Sequence, residues 1–450
     1  MPTDAIERYH SLLNDQIAAD TAAELYARLR PQGLYFGDRP LCTVLRPHFY
    51  LLEHWVYLKR ETEILLKAFQ RAHEACMKDV NLRAQLDLEP YEEALFNVDI
   101  GTAVPWTTSR LDSFFQAADE KLYFVEYNAE TPAGMGYEDA LSELFMTLEP
   151  MKQFLKYYAV QSMPMSGKLL AVLMRGYKDW GGHGIPQVAI VDWGHVPTLN
   201  EHAIIQRFFE RHGMKVILAD PRGLEYRNGQ LMAGDFRIDM IYKRVLCSEL
   251  IHQMGLENPI VQAVRDKKVY MTNSFSAKLM AKKASLALLS DERNSHLFNP
   301  RQQAAIDAHI PWTRRVTERQ TVFHGQEIDL VPFIADNRDR FVLKPNDEYG
   351  GKGVVIGWEA SAEDWNATLK QALSGDSYVV QERVSVIYRD FPAYINGKLD
   401  ISSRFVDANP YVFDGHTVHG CLTRLSSVAL LNVTAGGGSV VPTFLLQKRS

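Results

Sequence analysis

The stretch that most constrains the fold is "FVLKPNDEYGGKGVVIG", residues 341–357. Its first residues alternate, with Phe341 and Leu343 on one face of an extended chain and Val342 and Lys344 on the other. A second apolar, β-branched run, "VVIG", follows the loop. Gly350, Gly351 and Gly353 allow backbone conformations closed to other residues and let N–H groups approach a ligand closely. Lys344 and Lys352 place positive charge at either end. Strand, glycine loop and strand therefore read as a flap over a polyphosphate, and equally as a glycine-rich hairpin with solvated lysines. The GxxxxGK[ST] spacing of a P-loop is absent.

Glu348 favours the first reading. A carboxylate within a phosphate-holding loop repels its ligand unless a divalent cation lies between them. Mg²⁺ is usually held by one or two carboxylates together with phosphate oxygens. A second oxygen pair stands in "YFVEYNAETPAG", residues 123–134, where Glu126 and Asn128 share one face of a predicted strand. As a purely structural pair they would be a salt-bridged strand end and a turn-forming amide.

Other candidates carry similar alternatives. Arg110 and Asp112 in "SRLDSFF" form a further i, i+2 pair, with Arg110 either clamping an anion or bridging to Asp112. Arg244 ends the apolar run "IDMIYKRV", aimed at a ligand or snorkelling to solvent. Lys282 and Lys283 lie in "NSFSAKLMAKKASLALL", which predicts one helix. Arg424 precedes "NVTAGGGS" (432–439), a second glycine-rich loop. No GxSxG elbow or HExxH spacing is present.

The chain has 450 residues, 46% of them hydrophobic and 23% charged, enough for two or three packed units. Residues 1–90 predict a helical layer. Residues 91–184 predict a core sheet carrying the E-x-N pair. In 185–268, "QVAIVDW", "AIIQRFFERHG" and "KVILAD" predict a β-α-β unit, with Thr198 and Glu201 as a capping box. Asn228-Gly229 and Asn396-Gly397 predict hairpin turns. Residues 269–450 carry the flap and "SYVVQERV". The class is α/β (α+β).

A net charge of −6 argues against a general nucleic-acid or anionic-membrane surface. The four dispersed cysteines fit neither a disulfide framework nor a zinc site. The amino terminus lacks a signal-like pattern and no apolar run approaches ~18 residues. A cytoplasmic, soluble protein is expected, its oligomeric state open.

In order along the chain, "RLD", "EYNAETPAG", "YKR", the "KK" segment, "FVLKP…E-GG" and "YVVQE" resemble the circularly permuted ATP-grasp ligases. That group includes eukaryotic glutathione synthetase and the synthetase domain of glutathionylspermidine synthetase. The resemblance runs from about residue 105 to 440. It implies an ATP-grasp fold of glutathione synthetase-like type, with the β-α-β unit as an inserted substrate domain. It implies ATP and Mg²⁺ as cofactors, with Glu126, Asn128 and Glu348 around the metal. Lys282 (or Lys283) and Lys344 would contact phosphates, and Gln381 and Glu382 would flank the adenine. Arg110 and Arg244 match positions that hold the acceptor carboxylate or peptide, and Arg424 precedes the second closing loop. The implied reaction joins a small-molecule carboxylate to an amine (amino acid, peptide or polyamine) through an acyl phosphate.

"EYNAETP" is closest to the glutathionylspermidine synthetase form. Thr131 and Ala133 stand where the glutathione enzyme has serines, which argues against its dipeptide substrate. No amidase-like domain is recognised, so a bifunctional enzyme is not expected. The competing readings are an inactive nucleotide-binding scaffold and a phosphotransferase that uses no amine. The presence of all three metal-ligand candidates and both lysines argues against the scaffold.

Overall fold

The computed structural model describes residues 3–98, 104–427 and 438–448. The flap belongs to a four-stranded antiparallel sheet ordered Thr313–Arg315, Tyr378–Glu382, Phe341–Pro345, Val355–Ile356. Its alternation follows the sequence. Phe341 and Leu343 are fully buried against Trp365 and Val380, while Val342 and Lys344 face a cavity on the opposite side. Each buried large apolar side chain stabilises the sheet by about 1.5–3 kcal/mol. Helix Ala362–Leu373, capped by Ser361, covers the buried face with Trp365 and Leu369.

A larger antiparallel sheet supplies the other wall. Its order is Ile387–Ile395, Lys398–Val406, Thr417–Ser426, Asn409–Phe413, Thr108–Gln116, Lys121–Asn128. Arg110 lies opposite Asn128 and Asp112 opposite Glu126, just before a bulge between Asp112 and Ser113. Directly opposed residues project to one face, so four polar side chains stand together. Asn396-Gly397, both at positive φ, turns the long hairpin of this sheet. Asn228-Gly229 does the same between Glu225–Arg227 and Gln230–Ala233.

The third unit is the expected β-α-β arrangement. Its parallel strands are ordered Tyr270–Thr272, Met240–Lys243, Gln187–Val191, Lys215–Ala219. Helix Leu199–Arg211 joins Gln187–Val191 to Lys215–Ala219.

Three expectations need revision. Thr198 makes no side-chain cap. Glu201 is buried and instead accepts from the backbone N–H groups of Gly134 (2.6 Å) and Gly136 (3.3 Å). Residues 1–90 are not purely helical, because His48–Leu51 pairs in parallel with Thr443–Lys448. The segment 273–289 is not one helix: a 3-10 turn at Phe275–Ala277 leads into Lys278–Ala281, and a second short helix, Ala284–Ser290, follows an extended Lys282 (φ −66°, ψ 138°). That break matters for the site. Residues 428–437, most of the second glycine-rich loop, lie outside the described residues.

All four cysteines are unpaired and buried. Among the described residues no helix is long and apolar enough to cross a membrane.

Candidate active site

The flap and the two antiparallel sheets line a cavity open to solvent, with about 1110 Å³ of empty space when that open part is counted. Lys344 reaches it from the strand preceding the flap. Its Nζ donates to Gln381 Oε1 (2.6 Å) and to the Val125 carbonyl (3.2 Å). Burial lowers its pKa to about 8, with the Glu126 carboxylate opposing the shift.

Lys283 reaches the cavity from the second short helix. Its Nζ lies 2.9 Å from Glu126 Oε1 and donates to the Glu348 carbonyl (2.6 Å). Lys282 does not reach it. The extended backbone at Lys282 turns that side chain away, and its Nζ pairs with buried Glu92 (2.6 Å). Of these two candidates, Lys283 lines the cavity and Lys282 does not.

Glu126 keeps 31% of its side chain exposed, toward the cavity. Burial works to raise its pKa, but Lys283 and then Lys344 outweigh that and hold the carboxyl below its usual range. Glu126, Asn128 and Glu348 together line a second, more polar cavity that shares Glu126, Lys283 and Glu348 with the first. Asn128 Nδ2 is buried and has no hydrogen-bond partner among the described residues. Half a turn of the amide would present its oxygen at the same point. Glu348 Oε1 accepts from Lys352 Nζ (2.8 Å). Two carboxylates and an amide, flanked by two lysines, fit a Mg²⁺ site completed by phosphate oxygens. No cluster of three or more His, Cys, Asp or Glu ligands exists among the described residues, so the protein alone does not supply a full cage.

Gly350 and Gly351 line the large cavity with positive φ (65° and 76°), as the flap reading expects. Lys352 departs from it, with its side chain 74% exposed and outside the cavity. Gln381, Glu382, Arg383 and Val384 line the far end. Trp358, stacked under Arg383 at 4.1 Å, joins Val342, Ile356 and Val386 in an apolar slot there. Glu382 also pairs with His324 (2.9 Å).

The three arginines are more committed than the sequence suggests. Arg110 grips Asp112 through Nε (2.6 Å) and Nη2 (3.0 Å). Its Nη1 donates to the Ala133 carbonyl (2.8 Å). Arg244 Nη1 donates to the Pro132 carbonyl (2.6 Å). Neither lines the large cavity. Both pin the loop that follows Asn128, as does Tyr411, whose hydroxyl donates to Ala133 (2.6 Å). Arg424 does line the cavity, held by Asp407 (2.6 Å) and Asp112 (2.7 Å). Burial pushes the Asp112 carboxyl up, but Arg110 and Arg424 overcome it and hold the pKa at about 2.

Several residues in or around the site were not singled out from sequence. Asp407 and Asn409 in "VDANP" line the large cavity. They show the same i, i+2 spacing as Glu126 and Asn128, which was the available signal. In the lining of the second cavity, Lys278 contacts Asp347 (2.5 Å) and Glu130 (3.3 Å), and Glu130 also pairs with Lys243 (3.0 Å). Nothing local marks those lysines as buried.

Residues 90–426 match the family model described as circularly permuted ATP-grasp type 2. Over 57% of its length the chain is 24% identical to a Frankia casuarinae protein named "Putative glutamate--cysteine ligase 2-2". Over 73% it is 24% identical to an uncharacterized protein of Synechocystis sp.. It spans 29% and 66% of the lengths of these relatives. In fold it is similar to a glutathione synthetase-like effector of Globodera pallida, with a TM-score of 0.59, 12% identity and 96% of each chain covered.

Proposed function

The chain belongs to the circularly permuted ATP-grasp type 2 family, and from that premise we propose that it is a Mg²⁺- and ATP-dependent carboxylate–amine ligase. The observation that carries this reading is the pair of adjoining cavities. One has a glycine flap, Lys283, Lys344 and an apolar slot at Trp358. The other has Glu126, Asn128 and Glu348 in its lining. A nucleotide lying in the first with its terminal phosphate at the junction would meet both lysines.

In this reading Glu126, Asn128 and Glu348 would hold the metal, which would neutralise phosphate charge when bound. Lys344 and Lys283 stabilise the charge that develops on the transferred phosphoryl group. The flap amides cover it and exclude water. A substrate carboxylate attacks the γ-phosphorus, releasing ADP and leaving an acyl phosphate. An amine then displaces phosphate to form the amide, losing a proton. No side-chain nucleophile is required. Arg110 and Arg244 act as positioning residues that fix the loop after Asn128, where the acceptor would sit.

The test is an ADP-release screen over paired acids and amines, drawn from amino acids, short peptides and polyamines. Polyamines come first, because "EYNAETP" resembles glutathionylspermidine synthetase. ADP release that requires both partners supports the ligase. Release with the acid alone indicates a phosphotransferase, and ATP binding without release in any pair indicates a scaffold.

A further inference from the structure

A third cavity, smaller than the first, lies on the far side of Asp407, which lines both it and the nucleotide-sized cavity. Its chemistry is cationic. Arg46, His48, His54 and Arg389 line it, with Phe115 and Ile387 among its apolar walls. Arg46 is 1% exposed, yet its guanidinium engages no carboxylate among the described residues. Its Nη1 and Nη2 donate only to the carbonyls of Pro47 (2.8 Å) and Asp390 (2.9 Å), and it lies over the Phe391 ring at 4.0 Å.

Three buried nitrogens in this lining have no hydrogen-bond partner among the described residues: Arg46 Nε, His48 Nε2 and His54 Nδ1. Burial pushes His48 down to about 3, with Arg46 adding to the shift, so the ring is neutral at pH 7. Arg389 contributes a second guanidinium, its Nη1 donating to the Tyr388 carbonyl (2.7 Å). The one carboxylate on the wall, Asp407, is committed to Arg424.

A buried guanidinium without a counter-ion is costly, and each orphaned donor adds to the cost. Water would satisfy the donors but leave the Arg46 charge opposed only by the Asp390 carboxylate, which lies beyond ion-pair distance. We propose that this cavity binds a compact monovalent anion, a halide or a formate-sized carboxylate, held by Arg46 and the two imidazoles with Arg389 on its wall. The site does not depend on the ligase reading. Because Asp407 is a common wall, and holds Arg424 within the larger cavity, an occupant here would be sensed there.

The test compares melting temperature in sodium chloride, bromide, formate and gluconate at equal ionic strength. It is paired with anomalous diffraction from crystals grown in bromide. The proposal expects a saturable rise in chloride and bromide, or in formate, that gluconate does not produce. Whichever anion saturates at the lower concentration identifies the source. Where a halide saturates, the bromide peak should lie beside Arg46 and His48. His54→Phe should weaken anion affinity about tenfold, the scale of one lost hydrogen bond to a charged group, while leaving the melting temperature in gluconate near that of wild type. Arg46→Met is the stronger lesion but removes a buried side chain, so His54→Phe and the wild-type crystals carry the test. Identical melting curves in all four salts would overturn the proposal. So would halide saturation without a bromide peak in this cavity, and the cavity would then hold water alone.

Discussion

Two i, i+2 pairs face each other across neighbouring strands, Arg110 and Asp112 on one, Asn128 and Glu126 on the other. They look alike in sequence and share one face of one sheet. The first pair is closed on itself. Asp112 accepts from both Arg110 and Arg424, and the third Arg110 nitrogen, Nη1, donates to a loop carbonyl. The second pair is left open. Glu126 meets a single lysine and remains partly exposed to a cavity, and the Asn128 amide keeps an unpartnered nitrogen. A saturated buried network rigidifies; an unsaturated one beside a cavity asks for a ligand. The difference separates scaffold from chemistry where residue type and spacing do not.

The largest effect expected from breaking this contrast is on the closed side. Asp112→Asn leaves buried Arg110 without its carboxylate and half-buried Arg424 with Asp407 alone, and should destabilise the fold by about 3–5 kcal/mol in urea unfolding. Because Asp112 is held at about 2, against 3.8 ordinarily, its stabilisation is present above pH 4 and fades as pH falls toward 2. The variant should lose that part of the acid dependence.

The paired lysines give the next test. Lys282→Met leaves buried Glu92 with only the longer Lys278 contact (3.9 Å) and should cost about 3 kcal/mol of stability with little change in ATP affinity. Lys283→Met should do the reverse, weakening ATP binding about 10- to 100-fold by calorimetry. Equal effects of both on ATP would remove the distinction drawn from the break at Lys282.

Lys344 sharpens the comparison through pH. Its pKa in the free protein is about 8, and a phosphate bound beside it raises that value. Binding should therefore take up a proton above pH 8, and affinity should fall by at most about tenfold per pH unit there. For stability the sign is opposite: between about 8 and 10.5 the unfolded chain holds the proton more tightly, so this group's contribution improves as pH rises. Calorimetry at pH 7 and 9 in two buffers of different ionisation enthalpy reads the uptake, and Lys344→Arg should abolish it. The smallest effect belongs to Lys352→Ala. That side chain is solvent-facing, and ATP affinity should change by less than about threefold.

The flap strand, both Asn-Gly hairpins and the β-α-β unit were legible because each is written locally, in alternation, turn chemistry or helical spacing. The partners of a charge were not. Whether Glu201 caps its own helix or reaches Gly134, and whether Arg110 binds a ligand or Asp112, depends on residues far away in sequence. The break at Lys282 was hidden for a similar reason. Its neighbours are good helix formers, and the pull that opens the chain comes from Glu92 on one side and the flap on the other. Asp407 and Asn409 repeat the spacing of Glu126 and Asn128 and pass unnoticed only because an aspartate and an asparagine before a proline also read as a turn.

The measurement that bears most directly on the open pair is a calorimetric titration of ATP, with and without Mg²⁺, into wild type and Glu126→Gln. Binding to wild type should be tight and Mg²⁺-dependent. Glu126→Gln should lose most of the Mg²⁺ dependence while unfolding in urea much as wild type does. If Glu126→Gln binds Mg·ATP as well as wild type, Glu126 is structural after all and the contrast between the two pairs fails.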